Sequence, residues 1–261
     1  MNAHTGNRRA ARETSEDAVL GGRLILRQPL SGHRVGHDAI LLAAATNAHP
    51  GEHAVELGAG VGAAGLALAR RVAGVTVALV EIDAALAALV RDNAERNGLA
   101  AVVRAVCLDV SGPAAAFAAA GLAAETADCV LMNPPFNAVE NPSPESSRRI
   151  AHVASSGMLR QWVRVASRLL RPAGALTLIW RADGLAEVLA ALAPGFGEAS
   201  IAPVYGKPSA GAIRILVRAV KGSRAPLKLL PGLLLADALG KPTEAAEAIL
   251  RGGAALPLAE K

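Results

Sequence analysis

Short β-branched runs alternate with longer alanine- and leucine-rich segments along this chain, and each switch falls on Gly, Asn or Pro. Brief apolar runs fit buried strands and apolar stripes at helical spacing fit helices, so the alternation predicts an α/β sheet, mostly parallel, with helices on both faces. Strands are predicted at 22–27, 53–57, 75–80, 101–107, 127–132 and 173–180. Helices are predicted at 37–48, 61–73, 84–97, 113–120, 158–170 and 183–193. Two later runs, 198–205 and 212–220, are joined by the turn-like GKPSAG and predict a terminal antiparallel pair. The pattern divides into a flexible polar arm over 1–20, one domain over 21–220, and a basic C-terminal extension over 221–261 packed on that domain. The extension carries an apolar strand-like stretch and one short helix opening at Thr243, with Glu244 and Glu247 in its first turns.

Composition narrows the classes. Of 261 residues, 52% are hydrophobic and 19% charged, which excludes a disordered chain. No uncharged apolar run is long enough to span a bilayer, and the first seventeen residues lack the apolar core of a secretory signal, so a cytoplasmic protein is predicted. Cys107 and Cys129 stand in separate predicted strands and read as buried free thiols. Aromatics are only 2% of the chain, so each is a candidate for stacking, although Trp162 and Trp180 read as core.

Charge is unevenly divided. Residues 1–145 carry 11 Lys+Arg against 15 Asp+Glu, whereas residues 146–261 carry 16 against 7. A downstream basic excess suits a polyanionic partner, because Lys and Arg contacts to phosphates release counterions. Arg160, Arg164 and Arg168 equally fit the wet face of a helix whose apolar stripe is Leu159, Val163, Ala166 and Leu170.

Between the strand at 53–57 and the helix after it, Gly58, Gly60 and Gly62 form a loop that lets backbone approach a ligand at a helix N-terminus. Alone, this loop also satisfies a dinucleotide fingerprint. Glu56, two residues before the first glycine, is badly placed beside a pyrophosphate but well placed for an ammonium or sulfonium ligand. Glu81, at the end of the next strand, stands where an acid accepts from ribose hydroxyls. Asp109 follows the third strand of the unit and can take a hydrogen bond from an adenine amine or serve as a turn acid.

At the end of the strand at 127–132 comes Asn133-Pro134-Pro135-Phe136. Paired prolines there can simply end the ladder, yet loops at the carboxyl ends of parallel strands are where such sheets bind ligands. The four residues suit one task, methylation of a planar amine. Asn133 and the Pro134 carbonyl can accept the two amino protons, Pro134 and Pro135 fix the corner, and Phe136 can stack on the acceptor ring. No metal is required, and His33, His37 and His152 match no metal-ligand spacing.

Taken in order, Glu56-x-Gly58-x-Gly60, Glu81, Asp109 and Asn133-Pro-Pro-Phe136 resemble the class I S-adenosylmethionine-dependent methyltransferases that act on exocyclic amines. Within them, the stretches GGRLILRQPLSGHRVGHDAILLA, AHVASSGMLRQWVRVASRLLRPAG and KGSRAPLKLLPGLLL resemble the bacterial tRNA adenine-N6 methyltransferases that modify the purine beside the anticodon of a valine tRNA. The resemblance implies a Rossmann-like, seven-stranded sheet with an antiparallel last strand, S-adenosyl-L-methionine as cofactor and a flipped-out tRNA adenine as acceptor. The alternative acceptors are rRNA guanine N2 and protein-glutamine N5. Phe136 departs from the Tyr more common in relatives acting on DNA adenine or release-factor glutamine, and is shared with several rRNA guanine-N2 enzymes. A monomer is expected. Arg148 and Arg149, just after the corner, are candidates for phosphates flanking the extruded nucleotide, and Lys221, Arg224 and Lys228 for a more distant part of the tRNA.

Overall fold

The computed structural model describes residues 13–31, 34–135 and 146–259, with backbone alone at 146–156. Phe136, His33 and residues 1–12 of the predicted arm lie outside the described residues. A hairpin of β1 (Thr14–Val19) and β2 (Leu24–Pro29) precedes α1 (His37–Ala45). Then β3 (His53–Leu57), α2 (Ala63–Arg71), β4 (Thr76–Glu81), α3 (Ala84–Arg96), β5 (Val103–Cys107), α4 (Ala114–Ala119) and β6 (Ala127–Met132) alternate. They are followed by α5 (Ser146–Leu169), β7 (Leu170–Arg181), α6 (Leu185–Leu192), β8 (Phe196–Tyr205) and β9 (Ala212–Lys221). Last come β10 (Lys228–Leu229), β11 (Leu233–Leu234) and α7 (Glu244–Leu250).

The main sheet runs β5-β4-β3-β6-β7-β9-β8, with β9 antiparallel to both its neighbours, as the resemblance implied. Two short parallel pieces, β10 and β11, extend it beyond β8 to nine strands. The expected seven strands are therefore the core of a slightly wider sheet, because the apolar stretch of the C-terminal extension pairs with β8's free edge.

Strand residues alternate between two buried layers, as a period of two requires. Val77 and Leu79 of β4 and Cys129 and Leu131 of β6 join the layer under α1, α2 and α3. Ala78, Val80, Val130 and Met132 join the layer with α5 and α6. Each fully buried Leu or Val contributes roughly 1.5–3 kcal/mol by removal from water. Asp83 caps α3 by accepting from Ala85 and Leu86 N–H, and Thr243 caps α7 by accepting from Ala246 N–H.

Two expectations are corrected. Residues 14–19, placed in the flexible arm, form β1, held by Ser15 and Gln28 donating to Asp17 and by an Arg34–Asp17 ion pair at 2.7 Å. The helix expected at 158–170 begins at Ser146.

Candidate active site

Strand order reverses at β3, whose neighbours β4 and β6 are followed by chain that leaves in opposite directions, and such a switch point opens a crevice at the carboxyl edge. Leu57 of β3 pairs with Met132 of β6 and Val80 of β4. The next residues along, Gly58, Asn133 and Glu81, therefore stand side by side on adjacent strands, roughly 4.8 Å from neighbour to neighbour. The glycine loop and the Asn-Pro corner thus share one edge, and neither belongs to the opposite end of the sheet.

In the loop, the Gly58 and Ala59 N–H groups both donate to Val80 O at 2.9 Å, folding the chain back over β4. Gly58 has φ +71, and a Cβ there would come within 2.5 Å of the Trp162 ring. Trp162 on α5 is therefore more than core: it is the floor on which the loop rests. Gly60, at φ +58, has no atom of the described residues within 4 Å of where a Cβ would be, so its backbone stands clear of them. Gly62, also at positive φ, leads into α2, whose first turn carries no side-chain cap.

Glu81 fixes this loop. It is buried, and its oxygens accept from Gly60 N–H at 2.7 Å and Asp83 N–H at 2.9 Å, leaving acceptor positions on both for a ligand hydroxyl. Glu56 lies deeper, 4% exposed, and accepts from Gly65 N–H in α2 at 2.7 Å. Gly65 escaped the sequence reading; a Cβ there would sit 2.8 Å from Glu56 Oε2 and clash with Leu79.

Burial pushes the Glu56 carboxyl up to about 8; the Gly65 N–H works against this shift, and the Glu81 charge adds to it. Glu56 holds its proton more tightly folded than unfolded, so its favourable contribution is complete below its ordinary value near 4.5 and is lost as pH rises through about 8. We predict that the unliganded protein loses stability between pH 5 and pH 8 by chemical denaturation, and that Glu56→Gln removes most of that loss. An equal slope in both proteins would contradict the assignment.

Asn133 is half-buried, Pro134 buried and Pro135 exposed. Asn133 Oδ1 is itself excluded from solvent and, among the described residues, has no hydrogen-bond partner. An unpaired buried acceptor costs about 1–3 kcal/mol, so Asn133 Oδ1 has acceptor capacity to offer any donor that reaches this edge.

Asp109 is exposed, and its Oδ1 accepts from Ser111 N–H at 2.7 Å, so in the free protein it is a turn acid. Ile82, just after Glu81, is 64% exposed and was missed in the sequence; a large apolar side chain left open on this edge offers a face for a planar ring. Cys107 is exposed, contrary to expectation, whereas Cys129 is buried and its thiol is pushed up to about 12 by desolvation.

The basic candidates separate. Arg148 and Arg149 lie in the first turn of α5, where only backbone is described. Lys221 pairs with Phe196 at the start of β8, on the edge opposite the glycine loop, and donates to Glu125 Oε1 at 3.0 Å and Leu170 O at 2.7 Å. It is occupied inside the fold, which corrects its assignment to a substrate. Arg224 follows it on that far edge, and Lys228 sits midway, opposite Ser200 of β8; both are exposed. Arg160 and Arg164 are exposed, but Arg168 stacks 4.8 Å over the Phe117 ring and is not free wet surface. Among the described residues, no helix is long and apolar enough to cross a membrane.

This strand order with one reversed strand is that of the class I methyltransferases. A solved structure from Agrobacterium tumefaciens, described as a predicted O-methyltransferase, is 32% identical, with a TM-score of 0.72 over 84% of this chain and 98% of its own. The T. thermophilus 16S rRNA N2 G1207 methyltransferase, solved with AdoMet and guanosine, shares the fold at 21% identity and a TM-score of 0.54, covering 80% of this chain and 50% of its own. Residues 30–202 match the methyltransferase small domain family, and the chain belongs to that family. Two proteins from strains of Porphyromonas gingivalis, each named tRNA1(Val) (adenine(37)-N6)-methyltransferase, are 28% and 29% identical over 59% of this chain. The match spans 61% of the length of those relatives.

The donor of class I methyltransferases is S-adenosylmethionine, and the site fits it. The Gly60 backbone stands clear of the described residues, Glu81 keeps acceptor positions for hydroxyls, and Glu56 places a carboxyl beneath the loop.

Proposed function

We propose that this protein is an S-adenosylmethionine-dependent methyltransferase acting on the exocyclic N6 amine of an adenine in tRNA, the adenine beside the anticodon of a valine tRNA. The observation that carries the amine is the buried Asn133 Oδ1, unpartnered among the described residues, on the strand beside the glycine loop. The choice of tRNA adenine is supported by the names of the Porphyromonas gingivalis relatives. Such a substrate places the protein in the cytoplasm.

Bound in the crevice, the donor supplies an electrophilic methyl carbon on a sulfonium. Glu81 accepts from the ribose hydroxyls, and its existing bonds to Gly60 and Asp83 N–H prevent it from swinging away. Glu56 offers negative charge beneath a cationic ligand, and a cation there favours its ionised form over the protonated form that burial imposes. Asp109 can turn its remaining oxygen to an adenine amine while Oδ1 holds Ser111. Asn133 Oδ1 and the Pro134 carbonyl take the two N–H groups of the acceptor amine, which polarises the nitrogen and orients its lone pair away from the corner. As the N–C bond forms and the C–S bond breaks, the nitrogen becomes strongly acidic. Its proton then leaves to water, so neutral Asn133 need not act as a base.

Nucleoside mass spectrometry on tRNA from cells with and without the gene tests this reading. Loss of N6-methyladenosine from one valine tRNA supports it; unchanged tRNA with altered rRNA guanine or protein glutamine replaces it with the alternative acceptor.

The register supports one exposed cation over the others as a contact for the RNA. The β8–β9 turn, Gly206–Gly211, projects from the carboxyl edge, since Arg214 of β9 pairs with Arg181 beyond Met132's partner Leu178. Lys207 in that turn is exposed, two strands from the Asn133 corner. We predict that Lys207→Ala weakens tRNA binding and lowers the salt slope of log K by about one, while Arg224→Ala on the far edge changes neither. Titrations at several salt concentrations would contradict this if Arg224→Ala had the larger effect.

A further inference from the structure

Asn93 stands in the middle of α3 and is fully buried, among Ala87, Val90 and Ala94. Asparagine is a poor helix-interior residue because its amide competes for backbone groups, and burying an amide without partners is costly. Here every polar atom of the side chain is used. Nδ2 donates to Arg27 O and to Val61 O, both at 3.0 Å, and Oδ1 accepts from Arg27 N–H at 2.7 Å. One turn later, Asn97 repeats half of the pattern: Oδ1 accepts from Ile25 N–H at 2.9 Å and Nδ2 donates to Ile25 O at 2.8 Å.

The geometry explains the spacing. Four helical residues rise about 6.0 Å and two strand residues about 6.6–6.8 Å, so amides four apart on α3 meet alternate residues of β2. The helix presents two side-chain amides where a neighbouring strand would present its backbone. Asn97, the C-cap of α3, joins this clamp without reaching the glycine loop, and its second N–H donates to Asn93 O. Asn93 adds a bond to the carbonyl of Val61, inside the glycine loop.

We infer that Asn93 is a positioning residue for the cofactor loop: its amide locks Val61 to the β2 hairpin and so holds Gly60 and Gly62 in the conformation that receives the donor. The inference rests on the reading of this loop as the donor site. The loop otherwise keeps itself in place through Gly58, Ala59 and Gly60 N–H on the β4 side, so Asn93 supplies the restraint on its α3 side.

The matched pair Asn93→Ala and Asn97→Ala provides the test. Both break the clamp on β2, and both are expected to lower the melting temperature, but only Asn93→Ala frees Val61. By calorimetric titration with S-adenosylhomocysteine, Asn93→Ala is expected to weaken binding about tenfold, the loss of one buried hydrogen bond, and Asn97→Ala less than about threefold. Steady-state rates should show the same split, with KM for the donor raised by Asn93→Ala and kcat at saturation near the parental value. If Asn93→Ala fails to fold, Asn93→Ser, which keeps one donor, replaces it and should fall between. Equal affinity in the two alanine variants overturns the inference while leaving the donor site intact. A parental protein that takes up no S-adenosylhomocysteine overturns the donor reading, and this inference with it.

Discussion

Asn133→Ala is expected to slow methyl transfer by about 10²- to 10³-fold, the range seen when a positioned polar group is removed from a reacting centre. Affinity for S-adenosylhomocysteine should stay within about twofold, because Asn133 touches the acceptor amine and not the donor. Stability should not fall: among the described residues nothing donates to the oxygen removed, so its loss breaks no hydrogen bond between them and relieves a desolvated acceptor. Single-turnover rates with labelled donor, together with a denaturation curve, check all three. A variant that turns over at near the parental rate removes Asn133 from the reaction. One that loses donor affinity and stability together makes it a structural residue.

The second large effect is expected at Gly58. An added methyl would meet the Trp162 ring at 2.5 Å and 2.9 Å on a backbone at φ +71, so Gly58→Ala must both move a buried indole and strain the chain. Overpacking and left-handed strain together cost about 2–5 kcal/mol. Because the β3 carboxyl end cannot shift without losing the Gly58 and Ala59 bonds to Val80, donor binding should fall with stability. Gly60→Ala is the contrast. Its methyl meets no atom of the described residues, so it should cost about 1–2 kcal/mol of backbone strain, and its main effect should be on donor affinity. Melting curves and titrations on both variants check the pair; equal stability losses would mean that Trp162 yields freely.

Much of the fold was legible because its strands are short, apolar and sharply punctuated. The bounds expected for β3 and β6 coincide with those observed, the first closed by the glycines and the second by Asn133-Pro134. Features built from long-range partners were not legible. In TSEDAV most residues are polar and none is fully buried; it is a strand only because Asp17 gathers Ser15, Gln28 and Arg34. The helix expected at 158–170 captured only the latter half of α5, which begins at Ser146 and carries Ser155, Ser156 and Gly157, weak helix formers, in its interior.

At the candidate site, the glycines, Glu56, Glu81 and the Asn-Pro corner stand out by residue type and spacing alone. That they meet on neighbouring strands follows from register, which the sequence does not state. Trp162 reads only as core in the sequence, and Gly65 and Asn93 carry no signal there, because their partners lie in other elements, at Gly58, Glu56 and Val61 respectively. Charge alone could not distinguish Lys207 from Lys221. The strand directions put one at each end of the sheet, and Glu125 occupies the second.

A crystal structure of the protein with S-adenosylhomocysteine and adenosine decides whether the Asn133 corner holds the acceptor amine against the donor. The sulfur is expected over the Gly58–Gly62 loop, the ribose hydroxyls on Glu81, and the adenosine N6 within hydrogen-bond distance of Asn133 Oδ1 on the side facing the sulfur. A nucleoside bound with its N6 remote from Asn133, or a cofactor seated away from the glycine loop, would contradict this arrangement.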